Sequence, residues 1–94
     1  MHYTVYFTNS VLFELDEIEE YIARDSPIRA ISFVEELQQR MRDTLSTIPN
    51  SGRIYKQSTR FIALSGYVVL YEVEETTRHV HVLHIVSGRT DWKA

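Results

Sequence analysis

The hydrophobic pattern of the chain changes period twice. Tyr3-Thr4-Val5-Tyr6-Phe7 alternates and is β-branched and aromatic, which predicts a strand. Thr8-Asn9-Ser10 follows with side-chain oxygens suited to a helix N-cap. Val11, Leu15, Ile18 and Ile22 then recur at spacings of 4, 3 and 4, one face of a helix. Glu14, Glu17 and Glu20 fall off that stripe and read as a solvated face. Asp25-Ser26-Pro27 is a boundary: Pro27 fits the first turn of a second helix, with Ser26 as its N-cap. Ala30, Phe33, Val34, Leu37, Met41, Leu45 and Ile48 keep helical spacing up to the breaker run Pro49-Asn50-Ser51-Gly52. Two helices with so short a link predict an antiparallel hairpin.

From there the period shortens. Arg60 to Leu64 reads as a strand, Ser65-Gly66 as a two-residue turn, and Tyr67 to Val73 as a strand rich in Val and Tyr. Glu74 to Arg78 is a polar turn. His79 to Val86 is a further strand, apolar enough in its second half to sit in the middle of a sheet. The predicted order is β-α-α-β-β-β over a single domain, residues 1–94. This is an α+β fold, with a helical hairpin packed on one face of a small antiparallel sheet.

Composition narrows the chemistry. The 94 residues suffice for one modest core. The absence of cysteine excludes disulfides and thiolate chemistry. No apolar run approaches the ~20 residues of a membrane span. Met1-His2-Tyr3-Thr4 opens without the basic and apolar regions of a signal peptide, so a cytoplasmic location and no membrane partner are expected. Gly66 is an isolated glycine, so no phosphate-cradling loop is present and no cofactor is expected. The net charge of −3 disfavours a generic nucleic-acid binder, but it is unevenly spread: residues 1–39 carry net −6 and residues 40–94 net +3.

Three groups of residues could carry chemistry. His79 and His81 would share one face of the last strand, and His84 would lie on the other with Val80, Val82 and Val86. A three-histidine metal site fails on that geometry, and no metal is expected. His84 reads as a hydrogen-bonded core or edge histidine, with an acid/base or partner-contact role as the alternative. Arg53, Tyr55, Lys56, Arg60 and Tyr67 interleave cations with aromatics, a combination that neutralises phosphates and stacks bases. No carboxylate in that stretch could act as general base, and it reads first as a solvated loop and strand edge, with a protein-partner surface and then RNA as the alternatives. Finally, Arg89 and Asp91 are spaced for a local ion pair, and Trp92, the only tryptophan, is expected to fold back on the sheet or the helices.

"LDEIEEYIARDSPIRAISFVEEL", "IPNSGR", "GYVVLYEV" and "VHVLHIVSGRTDW", in that order, resemble the RelE/ParE superfamily of type II toxin-antitoxin toxins over nearly the whole chain. The resemblance implies a growth-inhibiting toxin neutralised by a cognate antitoxin, alone or in a homodimer or larger toxin–antitoxin assembly. RelE-like members cut mRNA in the ribosome, and ParE-like members inhibit DNA gyrase. In RelE-like toxins an arginine follows the Gly-Tyr pair and two lysines precede it on the neighbouring strand. Here those places hold Val68, Thr59 and Phe61. The arginine of the last turn is kept as Arg89, while the C-terminal tyrosine or histidine of several RelE-like enzymes has no counterpart before Ala94. The expectation is therefore a ParE-like gyrase inhibitor associated with plasmid stabilisation, with Arg60, Arg89 and Trp92 as candidate partner or target contacts. The alternatives are a RelE-like ribonuclease using Arg53, Lys56, Arg60, His84 and Arg89, and a non-toxic member acting only in an antitoxin complex.

Overall fold

A computed structural model describes residues 2–89 and Trp92. β1 (Thr4–Phe7) leads into α1 (Asn9–Ala23) and α2 (Pro27–Thr47), and a 3₁₀ turn (Pro49–Ser51) precedes β2 (Arg53–Lys56), β3 (Thr59–Leu64), β4 (Tyr67–Glu74) and β5 (His79–Ser87). The strands form one sheet in the order β1-β5-β4-β3-β2. The fold class is the α+β arrangement expected.

The helix starts follow their local chemistry. Thr8 Oγ1 accepts from Val11 N–H and donates to the Leu83 carbonyl, so one hydroxyl both caps α1 and fastens it to β5. Ser26 Oγ accepts from Arg29 N–H at 3.2 Å, with Pro27 opening α2. The hairpin buries Val11 and Leu15 of α1 and Leu37, Met41 and Leu45 of α2 against Val69, Tyr71, Val80, Val82 and Ile85 of the sheet. Ile48, expected to close the apolar stripe of α2, lies past the helix end and is exposed.

Two features depart from the expected sheet. Arg53–Lys56 forms a fourth C-terminal strand rather than a loop, held by antiparallel pairing to β3. Four residues with exposed side chains at Arg53, Ile54 and Lys56 give no readable alternation, so only the pairing reveals the strand. β1 pairs with β5 in parallel, Thr4 opposite His79 and Phe7 opposite Val82. Side-chain alternation is the same in both orientations, so the pattern carries no information about direction. The two-residue turn is as predicted: Ser65 and Gly66 both take positive φ, at 54° and 84°, the combination that matches the twist of a tight hairpin.

Candidate functional site

The residues singled out from the sequence fall into three separate places. The first is a lock on the segment between α2 and β2. Arg60 lies opposite Tyr71, on the helix side of the sheet. Its Nη1 donates to the Gly52 carbonyl at 2.7 Å and to the Asn50 carbonyl at 3.3 Å. The buried Tyr71 hydroxyl donates to the Pro49 carbonyl at 2.7 Å and accepts from Gly52 N–H at 3.0 Å. Burial raises the Tyr71 phenol above its ordinary pKa, against the smaller opposing pulls of the Gly52 backbone and Arg60. Gly52 is required here by space rather than by conformation. Its φ is −73°, but a Cβ would strike the Tyr71 hydroxyl and lie 2.7 Å from the Phe61 carbonyl. Beside the lock, Glu75 accepts from Tyr3 O–H at 2.6 Å and from Asn50 at 3.1 Å. These bonds, Tyr3 first, hold the Glu75 carboxyl below its usual range, and the same contact raises the Tyr3 phenol.

The second place is the outer face of the sheet, away from the helices. Alternation from Arg60 puts Thr59, Phe61 and Ala63 on this face, with Leu70 and Val68 opposite Phe61 and Ala63. Val68 is only 7% exposed, and it also lies opposite Val86. Trp92 returns to this face: its ring meets Phe61 edge-on at 4.8 Å between centroids and Tyr55 at 5.5 Å. Thr59 is engaged with the Glu72 carboxylate at 3.0 Å. Arg53, opposite Phe61, and Lys56, 5.3 Å from the centre of the Tyr55 ring, border the aromatic group. Further along the face, Tyr6 packs on His79 and His81.

The third place is a cleft of about 610 Å³ where α1 meets the β3–β4 turn and the end of β5, lined by Glu14, Glu17, Tyr21, Tyr67, Ser87 and Arg89 among others. Burial, with Tyr21 close by, raises the Tyr67 phenol. Here one expectation is corrected. The register jumps from Leu70–His84 to Tyr71–Val82, a bulge that breaks the alternation of β5. The buried positions are therefore Val80, Val82 and Ile85, and His84 is exposed rather than grouped with the core valines. Its Nδ1 lies 3.0 Å from Glu14 Oε2, while Glu14 Oε1 accepts from Ile85 N–H at 2.8 Å. Glu14, read from the sequence as part of a solvated face, thus closes the β5 edge beyond the end of β1. A carboxylate off the apolar stripe gives no sign of that role.

Arg53 and Lys56 share the aromatic border, whereas Arg60 is committed to the loop carbonyls and Arg89 and His84 sit by the cleft. Arg53, Lys56, Arg60, His84 and Arg89 are not gathered around one point. Asp91, the expected partner of Arg89, lies outside the described residues. Among the described residues no group of three or more His, Asp or Glu is arranged to hold a metal, and no helix is long and apolar enough to cross a membrane.

A helical hairpin thus covers one face of a five-stranded sheet, and aromatics with Arg53 and Lys56 border the other. The family described as the ParE toxin of the type II system parDE matches residues 5–92, and the chain belongs to it. Among solved structures, it is similar to the chromosomal ParDE toxin-antitoxin system from P. aeruginosa, with 17% identity, TM-score 0.76, and 92% and 96% of the two chains covered. It is also similar to the RelBE2 toxin-antitoxin complex from Mycobacterium tuberculosis, with 21% identity, TM-score 0.67, and coverage of 93% and 99%. The isolated E. coli RelE toxin aligns at 21% identity and TM-score 0.60, over 96% and 89%. No curated protein matches the sequence. The chain is a member of the ParE toxin family of type II toxin-antitoxin systems.

Proposed function

We propose that this toxin acts in the cytoplasm by binding a protein target, DNA gyrase, and not by cutting mRNA. The observation that carries the reading is the outer sheet face. The resemblance to RelE-like toxins assigns cations to the places of Thr59, Phe61 and Val68, which share this face. Here the first is tied to Glu72, the second lies under Trp92, and the third is buried among apolar strand neighbours. A phosphoryl-transfer site needs fixed cations and donors where negative charge develops, and removing such groups costs orders of magnitude in rate. An apolar, aromatic face bordered by arginine has instead the composition of a protein-binding surface.

The test is a supercoiling assay with purified gyrase and full-length toxin, run beside ribosome-programmed mRNA. The expected result is inhibited supercoiling, or gyrase-dependent DNA breaks, with intact mRNA. Cleaved mRNA with unaffected gyrase would overturn the reading.

A further inference from the structure

We propose that His79 and His81 form a chelating site on the outer sheet face for a divalent ion of the zinc, nickel and copper class. The site does not depend on the gyrase reading. It lies at the β1–β5 side of the face, across the sheet from the Tyr55–Phe61–Trp92 group.

The pair survives the correction that removes His84 from the apolar row. The β5 bulge falls between Val82 and His84, so alternation holds from His79 to Val82. Val80 and Val82 are buried in the core, and His79 and His81, both half-buried, share the outer face. Their ring centroids lie 6.1 Å apart, with the planes at 84°. A coordinating imidazole nitrogen sits about 2.0–2.1 Å from zinc, which puts the ring centre roughly 3.2 Å from the ion. Two rings on one ion therefore have centres at most about 6.5 Å apart, and roughly 5.3 Å apart at the tetrahedral angle. The observed spacing falls inside that limit, and a movement of about 0.4 Å per ring reaches the tetrahedral value. Tyr6 packs edge-on to His79 at 4.9 Å and stacks on His81 at 5.6 Å, which restricts the rotamers both rings sample. A ligand pair held in this way loses less freedom when it binds.

The surroundings select the ion. β4 brings Glu72 opposite His81 and Glu74 opposite His79. Glu72 accepts from the Ser58 and Thr59 hydroxyls, and Glu74 from the Thr77 hydroxyl. Each carboxylate keeps further acceptor capacity and sets negative charge beside the imidazoles. On the β1 side the neighbours are Thr4 and Tyr6. The guanidinium of Arg78, just before the strand, acts on Glu75. An anion would meet the Glu72 and Glu74 charges, whereas a cation is attracted by them. Imidazole nitrogen suits zinc, nickel and copper, while magnesium and calcium take oxygen ligands. Two imidazoles leave coordination positions to water, so the site holds an exchangeable ion rather than a closed structural centre. If the rings served only to pack on Tyr6, the protein would have no affinity for such an ion at this place.

Isothermal titration calorimetry of the full chain with zinc chloride, beside proton NMR of the imidazole signals, tests the site. The expected result is one ion per chain, with the His79 and His81 signals perturbed and those of His2 and His84 little changed. His79→Ala and His81→Ala should each weaken zinc binding at least about tenfold, because either leaves a single imidazole. His84→Ala should leave binding unchanged, since that ring pairs with Glu14. Zinc should raise the melting temperature of the wild type but not of the double variant His79→Ala/His81→Ala. Magnesium chloride should give neither heat of binding nor shifted signals. Circular dichroism checks that each variant folds, and His79→Gln and His81→Gln serve the same test where alanine lowers stability. Unaltered zinc affinity in a folded double variant would overturn the proposal. So would zinc shifts centred on His2 or His84, or a folded wild type that binds no zinc at millimolar concentration. Each of these outcomes leaves the gyrase reading intact.

Discussion

Tyr71→Phe isolates the lock that positions β2. The ring stays, so no cavity forms, and only the hydroxyl is lost. That hydroxyl donates to the Pro49 carbonyl and accepts from Gly52 N–H, and the residue is fully buried. Each net hydrogen bond contributes about 0.5–1.5 kcal/mol, so the loss is about 1–3 kcal/mol. In a domain of this size, each kcal/mol lowers the melting temperature by about 4–8 °C. Urea unfolding at neutral pH, followed by circular dichroism, should show an earlier midpoint with an unchanged slope. The sign of the pH dependence follows from the raised Tyr71 pKa. A raised folded-state pKa gives stability that is present below the ordinary phenol value and is lost as pH rises through the folded value. The gap between wild type and Tyr71→Phe should therefore narrow in the alkaline range. A loss below about 0.5 kcal/mol at neutral pH, or a gap that widens there, would refute the reasoning. Gly52→Ala should be at least as damaging, because its new methyl group meets the same hydroxyl and the Phe61 carbonyl.

Other consequences follow from the remaining contacts. Trp92→Ala should cost about 1–3 kcal/mol through lost packing on Phe61 and Tyr55, measured by thermal melting; an unchanged melting temperature would remove its structural role. Glu14→Ala leaves Ile85 N–H without its partner and should speed exchange of that amide with a loss of about 1–2 kcal/mol, whereas His84→Ala, breaking an exposed pair, should cost under about 1 kcal/mol. Equal effects would contradict the view that Glu14 acts mainly on the backbone. The lowered Glu75 pKa gives stability present above the ordinary carboxylate range and lost as pH falls through the folded value. The raised Tyr3 pKa gives stability lost as pH rises through its folded value. Tyr3→Phe should flatten both limbs in urea titrations across pH, and an unchanged profile would exclude the pair as their cause.

The sequence by itself determined the two helices, their caps and the buried stripes Val11–Leu15–Ile18 and Leu37–Met41–Leu45, because these depend on local spacing and side-chain chemistry. It also determined the three longer C-terminal strands, the Ser65-Gly66 turn and membership of the superfamily, whose marks are contiguous. Tertiary structure decided the rest. β2 exists only through its pairing with β3, and the parallel direction of β1 is invisible to a period of two. The β5 bulge moved His84 out of the apolar row, since alternation holds only while the register is unbroken. Arg60 reads as a free cation in the sequence, yet carbonyls 8 and 10 residues upstream take up its guanidinium. Glu14 acquires its role from groups 70 and 71 residues away. A buried hydrogen bond or a closed sheet edge depends on what the rest of the chain brings alongside, and that information is distributed over the whole fold.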